Sequence, residues 1–273
     1  MSRTEYVFQN TSFQAELNRL RSIEAIFDPA TRRRLLSAGL KRGMHCLEVG
    51  AGAGSIMAWI ASEIGPSGRV TAVDINTRFI SNPPPNVQLL SGDIQTAPLK
   101  PDSFDLIHAR YVLVHIPEYQ TVLQILWRSL KPGGSIVIEE PDFSAFRAIG
   151  GSDAGKRAFK NIHQAINQMY SSKGIDPALG MKLPILFQEL GAKEVVVEND
   201  APISRGGSDI AEMMRMSSIP LKEKYIATGK AAPVDIDDYE AFTADPDSAA
   251  IYYATIGVIG WKEGVAQRPR RES

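Results

Sequence analysis

Gly50, Gly52 and Gly54 stand between an apolar run, "HCLEV", and a helical pattern, "SIMAWIASEIG", and this junction constrains the fold more than any other feature. A strand that runs into glycines and then a helix needs a tight turn free of Cβ atoms. It aims backbone N–H groups and a helix N-terminus at whatever lies above it. The pattern then repeats. "RVTAVDI", "VQLLSGD", "FDLIHAR" and "GSIVIEE" read as further strands, separated by helical stretches such as "PEYQTVLQILWRSL", the last strand entered by the turn "KPGG". Short strands alternating with helices predict an α/β fold of βαβ units, with a parallel sheet covered on both faces. Right-handed crossovers make that sheet doubly wound and Rossmann-like.

Two helices are expected ahead of the glycines. Thr11 and Gln14 have capping-box spacing before Phe13, Leu17, Leu20, Ile23 and Phe27. Asp28 and Pro29 read as the start of a second helix that Gly39 ends. Past "GSIVIEE" the pattern loosens. Helices are expected in "DAGKRAFKNIHQAINQMYSS", "LPILFQELGA", "SDIAEMMRMSSIPLKEKYIATG" and "DIDDYEAFTA", and strands in "KEVVVEND" and "AAIYYATIGVIGWK". No linker or repeat divides the chain, so one domain is expected over 1–273, with an N-terminal helical cap at about 1–42 and a helical lid insert at about 206–249.

The formal net charge of −1 gives no global attraction to nucleic acid or to an anionic membrane, and neither is expected as a partner. Cys46, the sole cysteine, offers neither a disulfide nor a thiolate cluster, and no metal site is expected. With no apolar leader or spanning run, a cytoplasmic location is the expectation. The oligomeric state is left open between monomer and homodimer.

Acidic residues accompany the glycines. Asp74 ends the second strand, where such folds grip a ribose diol. Asp93 ends the third, placed to accept a hydrogen bond from an adenine amino group. Glu48 lies two residues before Gly50. A dinucleotide site asks for G-x-G-x-x-G/A, but Ser55 stands where its third glycine would be. Glu48 would also repel a pyrophosphate, whereas it suits an ammonium group. S-adenosylmethionine combines an ammonium, a sulfonium, a ribose diol and an adenine, and it matches this set of acids.

These residues resemble the motifs of class I S-adenosylmethionine-dependent methyltransferases, small-molecule enzymes in particular. "LEVGAGAGS" looks like their first motif, "VTAVDI" their ribose motif and "SGDI" their adenine motif. "FDLIHARYVLVHIP" and "LKPGGSIVIEEPDF" resemble the fourth and fifth strands, so that the likeness covers residues 36–143 in order and spacing. It implies a mostly parallel seven-stranded sheet with an antiparallel last strand. It also implies S-adenosyl-L-methionine as cofactor and S-adenosyl-L-homocysteine as product. By the same likeness Glu48, Gly50, Ala51, Gly52, Gly54 and Ser55 surround the methionine portion. Asp74 takes the ribose, Ile75, Asp93 and Ile94 hold adenine, Ala109 and Arg110 approach the sulfonium end, and Tyr6 and Gln9 close over the cofactor.

For the chemistry, His115 after the fourth strand and Asp142 after the fifth are the candidate bases, in a transfer that needs a base only if the nucleophile must lose a proton. Arg110 is placed to pair with a substrate carboxylate or with Glu140. Phe143, Phe146, Met213, Met214 and Tyr225 are expected to wall a pocket for a small, partly apolar organic acceptor of specialised metabolism, with oxygen, nitrogen and carbon all open as the methylated atom. The same motifs also suit a non-methylating enzyme, such as a cyclase or elimination catalyst, or a ligand-binding module. The glycine spacing and Glu48 disfavour a nicotinamide oxidoreductase.

Overall fold

The computed structural model describes residues 12–264. Helix α1 (Phe13–Ser37) leads into β1 (His45–Val49), α2 (Ser55–Ile64), β2 (Arg69–Asp74), β3 (Val87–Ser91), β4 (Phe104–Arg110), α3 (Tyr119–Ser129) and β5 (Leu130–Asp142). The second half adds β6 (Arg147–Gly150), α4 (Asp153–Ser171), α5 (Leu179–Glu189), β7 (Ala192–Asp200), β8 (Ser204–Arg205) and α6 (Asp209–Ser218). It closes with α7 (Lys222–Ala227), α8 (Pro233–Ala244), β9 (Ala249–Ile251) and β10 (Ala254–Lys262). The main sheet has the order β3-β2-β1-β4-β5-β10-β7. Its first five strands run parallel, and β10 is antiparallel to both β5 and β7.

The apolar runs read as buried strands because they are buried on both faces. Successive side chains point to opposite sides. Cys46, Leu106, Val137 and Ile259 join the core under α2, while Leu47, Ile107, Ile136 and Val258 join the core under the other layer. Helix α3 turns Val122, Leu123 and Leu126 onto that second core, the stripe its period requires. The turn "KPGG" shows as a register shift between Phe104 and Leu106, with Gly133 at φ +78°. A small second sheet, β6-β9-β8, lies beyond the main one.

Three sequence expectations change. The N-terminal pair of helices is one helix, capped by Ser12, whose Oγ accepts from Ala15 N at 3.3 Å; Thr11 lies outside the described residues. Pro29 sits inside it and costs its missing hydrogen bond, about 3 kcal/mol in an isolated helix. Burial of Phe27 and Asp28 before it and Thr31, Arg34 and Leu35 after it keeps both halves docked. The closing strand is two, because the chain leaves the small sheet at Ile251 and enters the main one at Ala254. The first helix of the 206–249 insert passes at Pro220 through a single tight turn, separating α6 from α7.

Candidate functional site

The carboxyl ends of β1, β2, β4 and β5 open into a cavity of about 280 Å³. The glycine loop forms one wall. Gly50, Gly52 and Gly54 have φ of +72°, +59° and +94°, values that L side chains rarely adopt. A Cβ on Gly50 would lie 2.3 Å from Val112 Cγ2, so the loop is packed against the chain leaving β4. Asp74 accepts from Gly52 N at 2.8 Å and Asn76 N at 2.7 Å, which ties the loop to the end of β2. Burial pushes its carboxyl up, and those two N–H groups oppose the shift. Asp93 accepts from Gln95 N at 2.9 Å.

Most residues named from the sequence meet here. Glu48, Gly50, Ala51, Gly52 and Ser55 line the cavity, and so do Asp74, Ile75, Asp93, Ile94 and Arg110. Gly54 and Ala109 do not; Ala109 is fully buried in the core. Tyr6 and Gln9 lie outside the described residues.

Helix α1 supplies residues the sequence reading missed. Glu16, Arg19, Leu20, Ile23 and Glu24 recur at helical spacing and line the cavity together. Glu24 Oε1 accepts from Ser55 N at 3.0 Å, so a carboxylate occupies the N-terminus of α2, where a dinucleotide's phosphates would sit. The i, i+3, i+4 stripe was visible in the sequence; that it faces a ligand cavity as well as core was not.

Behind Glu48 runs a buried string of alternating charge. Its Oε2 meets His108 Nδ1 at 2.7 Å, His108 Nε2 meets Glu139 Oε1 at 3.2 Å, and Glu139 Oε2 accepts from Arg34 Nη1 at 2.5 Å. Arg34 also pairs with Glu198 and Asp200 on β7. Burial pulls the His108 imidazole down, but Glu48 and Glu139 outweigh it and raise it to about 9. Burial likewise works against ionised Glu139, yet His108, Arg34 and Arg110 hold it at about 2. Burial pushes Glu48 up, against the pull of His108. Arg110 does not pair with Glu140: Nη2 donates to Asp28 Oδ1 at 2.9 Å and Nη1 to Thr31 Oγ1 at 2.8 Å. Glu140 is instead bound by the N–H groups of Val112, Leu113 and Val114 at 3.0, 2.7 and 3.2 Å, and it anchors the turn that carries His115. Burial raises its carboxyl to about 8 against those three donors.

The other end of the cavity is apolar. Phe143, Met213, Met214 and Tyr225 line it as expected from the sequence, and Tyr170 and Tyr253 join them. Tyr111 also lines it at φ +57°, a conformation that costs a non-glycine residue about 1–3 kcal/mol. Its N–H donates to Glu139 O at 2.8 Å, and its hydroxyl lies 2.5 Å from Thr255 Oγ1. Phe146 is a correction: its ring stacks on His163, 5.1 Å between centroids, in an aromatic cluster with Phe159 away from the cavity lining. Asp142 is another. Its Oδ1 accepts from Ser144 N at 2.8 Å and Ser144 Oγ at 2.5 Å, capping a turn, and it does not line the cavity. His115 does line it, but burial, Arg19 and Lys173 depress its imidazole to about 3, which leaves it neutral and a feeble base.

Residues 47–138 match the family described as "Methyltransferase domain". Over 142 residues the chain is 31% identical to a demethylmenaquinone methyltransferase of Staphylococcus aureus (strain JH9). That alignment covers 49% of this chain and 58% of the relative, so the chain spans less than two thirds of the relative's length. Among solved structures, a Haemonchus contortus phosphoethanolamine N-methyltransferase 2, in complex with phosphomonomethylethanolamine and S-adenosylhomocysteine, superposes with a TM-score of 0.60 at 17% identity. The match covers 96% of this chain and 61% of that one. The [4+2]-cyclase SpnF superposes with a TM-score of 0.52 at 20% identity, over 87% of this chain and 81% of that one. At such identities the likeness is one of fold.

Proposed function

We propose, from a core at residues 47–138 that matches the methyltransferase-domain family, that this chain transfers a methyl group from S-adenosyl-L-methionine to a small, partly apolar acceptor. The observation that carries the reading is the sign of the cavity. Its glycine-loop end gathers Glu24, Glu48, Asp74 and Asp93. Four carboxylates oppose a pyrophosphate and favour a ligand with an ammonium, a sulfonium and a diol. In this reading Glu48 receives the ammonium, Asp74 the ribose hydroxyls and Asp93 the adenine amino group, with Ile75 and Ile94 against the ring. When bound, the sulfonium offers an electrophilic methyl; the protein's part is to place an acceptor in line with it and exclude water.

Helices α1 and α6 supply the cover. Helix α6 brings Met213 and Met214 to the cavity and α7 brings Tyr225. The concave shape of the cavity and its apolar end favour a small molecule over a polymer. No described helix is long and apolar enough to cross a membrane. Isothermal titration with S-adenosylhomocysteine, with NADH as control, tests the cofactor: the expected result is micromolar binding of the first alone, and NADH binding in its place overturns the reading. A cyclase would also bind this ligand, so accumulation of S-adenosylhomocysteine during turnover separates transfer from a non-methylating reaction.

His115 enters this scheme as a neutral wall residue. His115→Asn is expected to lower kcat less than about tenfold, in contrast to the 10²–10⁴-fold typical of a general base. The pH–rate profile between about pH 5.5 and 8 should keep its shape. A larger loss, with a vanished acidic limb, would restore His115 as the base.

A further inference from the structure

The apolar end of the cavity is walled by Phe143, Tyr170, Met213, Tyr225 and Tyr253. Several polar side chains around it are already engaged. Arg19 is held by Glu16 through Nε at 2.9 Å and Nη2 at 2.7 Å. Ser217 Oγ donates to Met213 O at 2.9 Å. The Tyr111 hydroxyl lies 2.5 Å from Thr255 Oγ1, and Tyr111 is in turn the hydrogen-bonding neighbour of the Tyr253 phenol.

Two phenols are left over. Tyr170 lies in the last turn of α4 and Tyr225 on α7, and they are only 5% and 3% exposed. Neither hydroxyl meets a hydrogen-bond partner among the described residues, and neither is sealed from solvent, so each opens on the cavity that its residue lines. The Tyr170 ring is fixed in place: Phe143 stacks on it at 5.3 Å between centroids and 14° between planes, and the His115 ring lies 6.2 Å away. Burial raises both phenols, and Tyr170 adds to the rise at Tyr225, so both keep their protons and stand within each other's field. A protonated phenol has a hydrogen to give, and a half-enclosed donor without an acceptor is unfavourable. A carbonyl oxygen has two lone pairs and satisfies two such donors at once. An ammonium brings more donors and satisfies neither.

We propose that the acceptor carries a neutral carbonyl oxygen on an otherwise apolar body, and that Tyr170 and Tyr225 donate hydrogen bonds to that oxygen from the cavity wall. This rests on the methyl-transfer reading above and names its substrate class. The carbonyl is the anchor at the aromatic end, and it sets which part of the molecule is turned toward the glycine loop. The apolar body lies against Phe143, Met213 and Tyr253, where it needs no polar partner.

The test uses acetophenone and α-methylstyrene, which share one skeleton and differ in having C=O or C=CH2. The affinity of each for the full-length protein is measured by ligand-observed NMR titration with S-adenosylhomocysteine present. The ratio of the two affinities is compared between proteins, since the apolar contacts and the hydration of the probes cancel in it. Tyr170→Phe and Tyr225→Phe should each lower the preference for the ketone about fivefold, the factor that corresponds to one neutral hydrogen bond of about 1 kcal/mol. The double variant should lose more than either. α-Methylstyrene should bind parent and variants alike, and the carbonyl stretch of bound acetophenone should lie lower in the parent than in the double variant. Affinity for S-adenosylhomocysteine, titrated separately, should be the same throughout, which tells a failure of the cofactor assignment from a failure here. A ratio that both substitutions leave unmoved, a loss that α-methylstyrene shares, or no binding of acetophenone to the parent overturns the proposal.

Discussion

Arg34→Met should cost about 3–5 kcal/mol of stability, the penalty for leaving a buried charge without its partner. Arg34 is 1% exposed, and Glu139 beside it is fully buried. Methionine fills much of the same volume, so packing is nearly kept and the loss is electrostatic. Glu139 would then keep His108 as its hydrogen-bonded partner, with Arg110 acting only at longer range, and the raised His108 could not also satisfy Glu48 fully. Urea denaturation followed by circular dichroism reads the change in midpoint at constant m-value. A loss below about 1 kcal/mol would mean that the string is solvent-relaxed and that Arg34 is a surface anchor for β7.

The same string has a pH signature. His108 is raised from about 6.5 to about 9, so its contribution is fully present below 6.5 and disappears as pH rises through 9. Glu139 is depressed to about 2, so its contribution is present above its ordinary 4.5 and is lost as pH falls through 2. His108→Gln should therefore differ from the parent in stability at pH 6 and converge on it above about pH 9.

Asp74→Ala should weaken S-adenosylhomocysteine binding about a hundredfold, or about 2–3 kcal/mol, the scale for hydrogen bonds to a charged acceptor. Two effects add. The carboxylate that the proposed site offers to the ribose diol is removed, and Gly52 N loses the acceptor that fixes the glycine loop. Asp74→Asn separates them, since its amide oxygen can still accept from Gly52 N while losing the charge; it should fall between parent and alanine. Unchanged affinity in both variants, with folding intact, would move the ribose away from the end of β2.

Much of this arrangement was legible from local pattern. The glycine loop, Asp74 and Asp93 follow from strand endings, and strand endings follow from period and glycine. What escaped depends on long-range packing. Pro29 stops a helix in isolation, but burial on both sides of it holds α1 together. Glu24 and Arg19 lie far in sequence from the motifs and come to the cavity only because that helix is unbroken. Asp142 and Phe146 follow the right strand, yet a single turn after β5 points one into a cap and the other into the aromatic cluster. Arg110 found Asp28 for the same reason: no spacing rule links residues 82 positions apart.

The charge string also sets how such a site can change over generations. Glu48 faces the cavity, but its charge is balanced by His108 on β4, then Glu139 on β5, then Arg34 on helix α1. None of the four can be exchanged for a neutral residue without stranding its neighbour. Variation at the ligand-facing carboxylate is therefore tied to variation on α1, three strands across the same face of the sheet, and a lineage that alters one member must alter its partner in step. The apolar end has no such tether, so acceptor preference can drift residue by residue while the acid that faces the glycine loop stays locked in place.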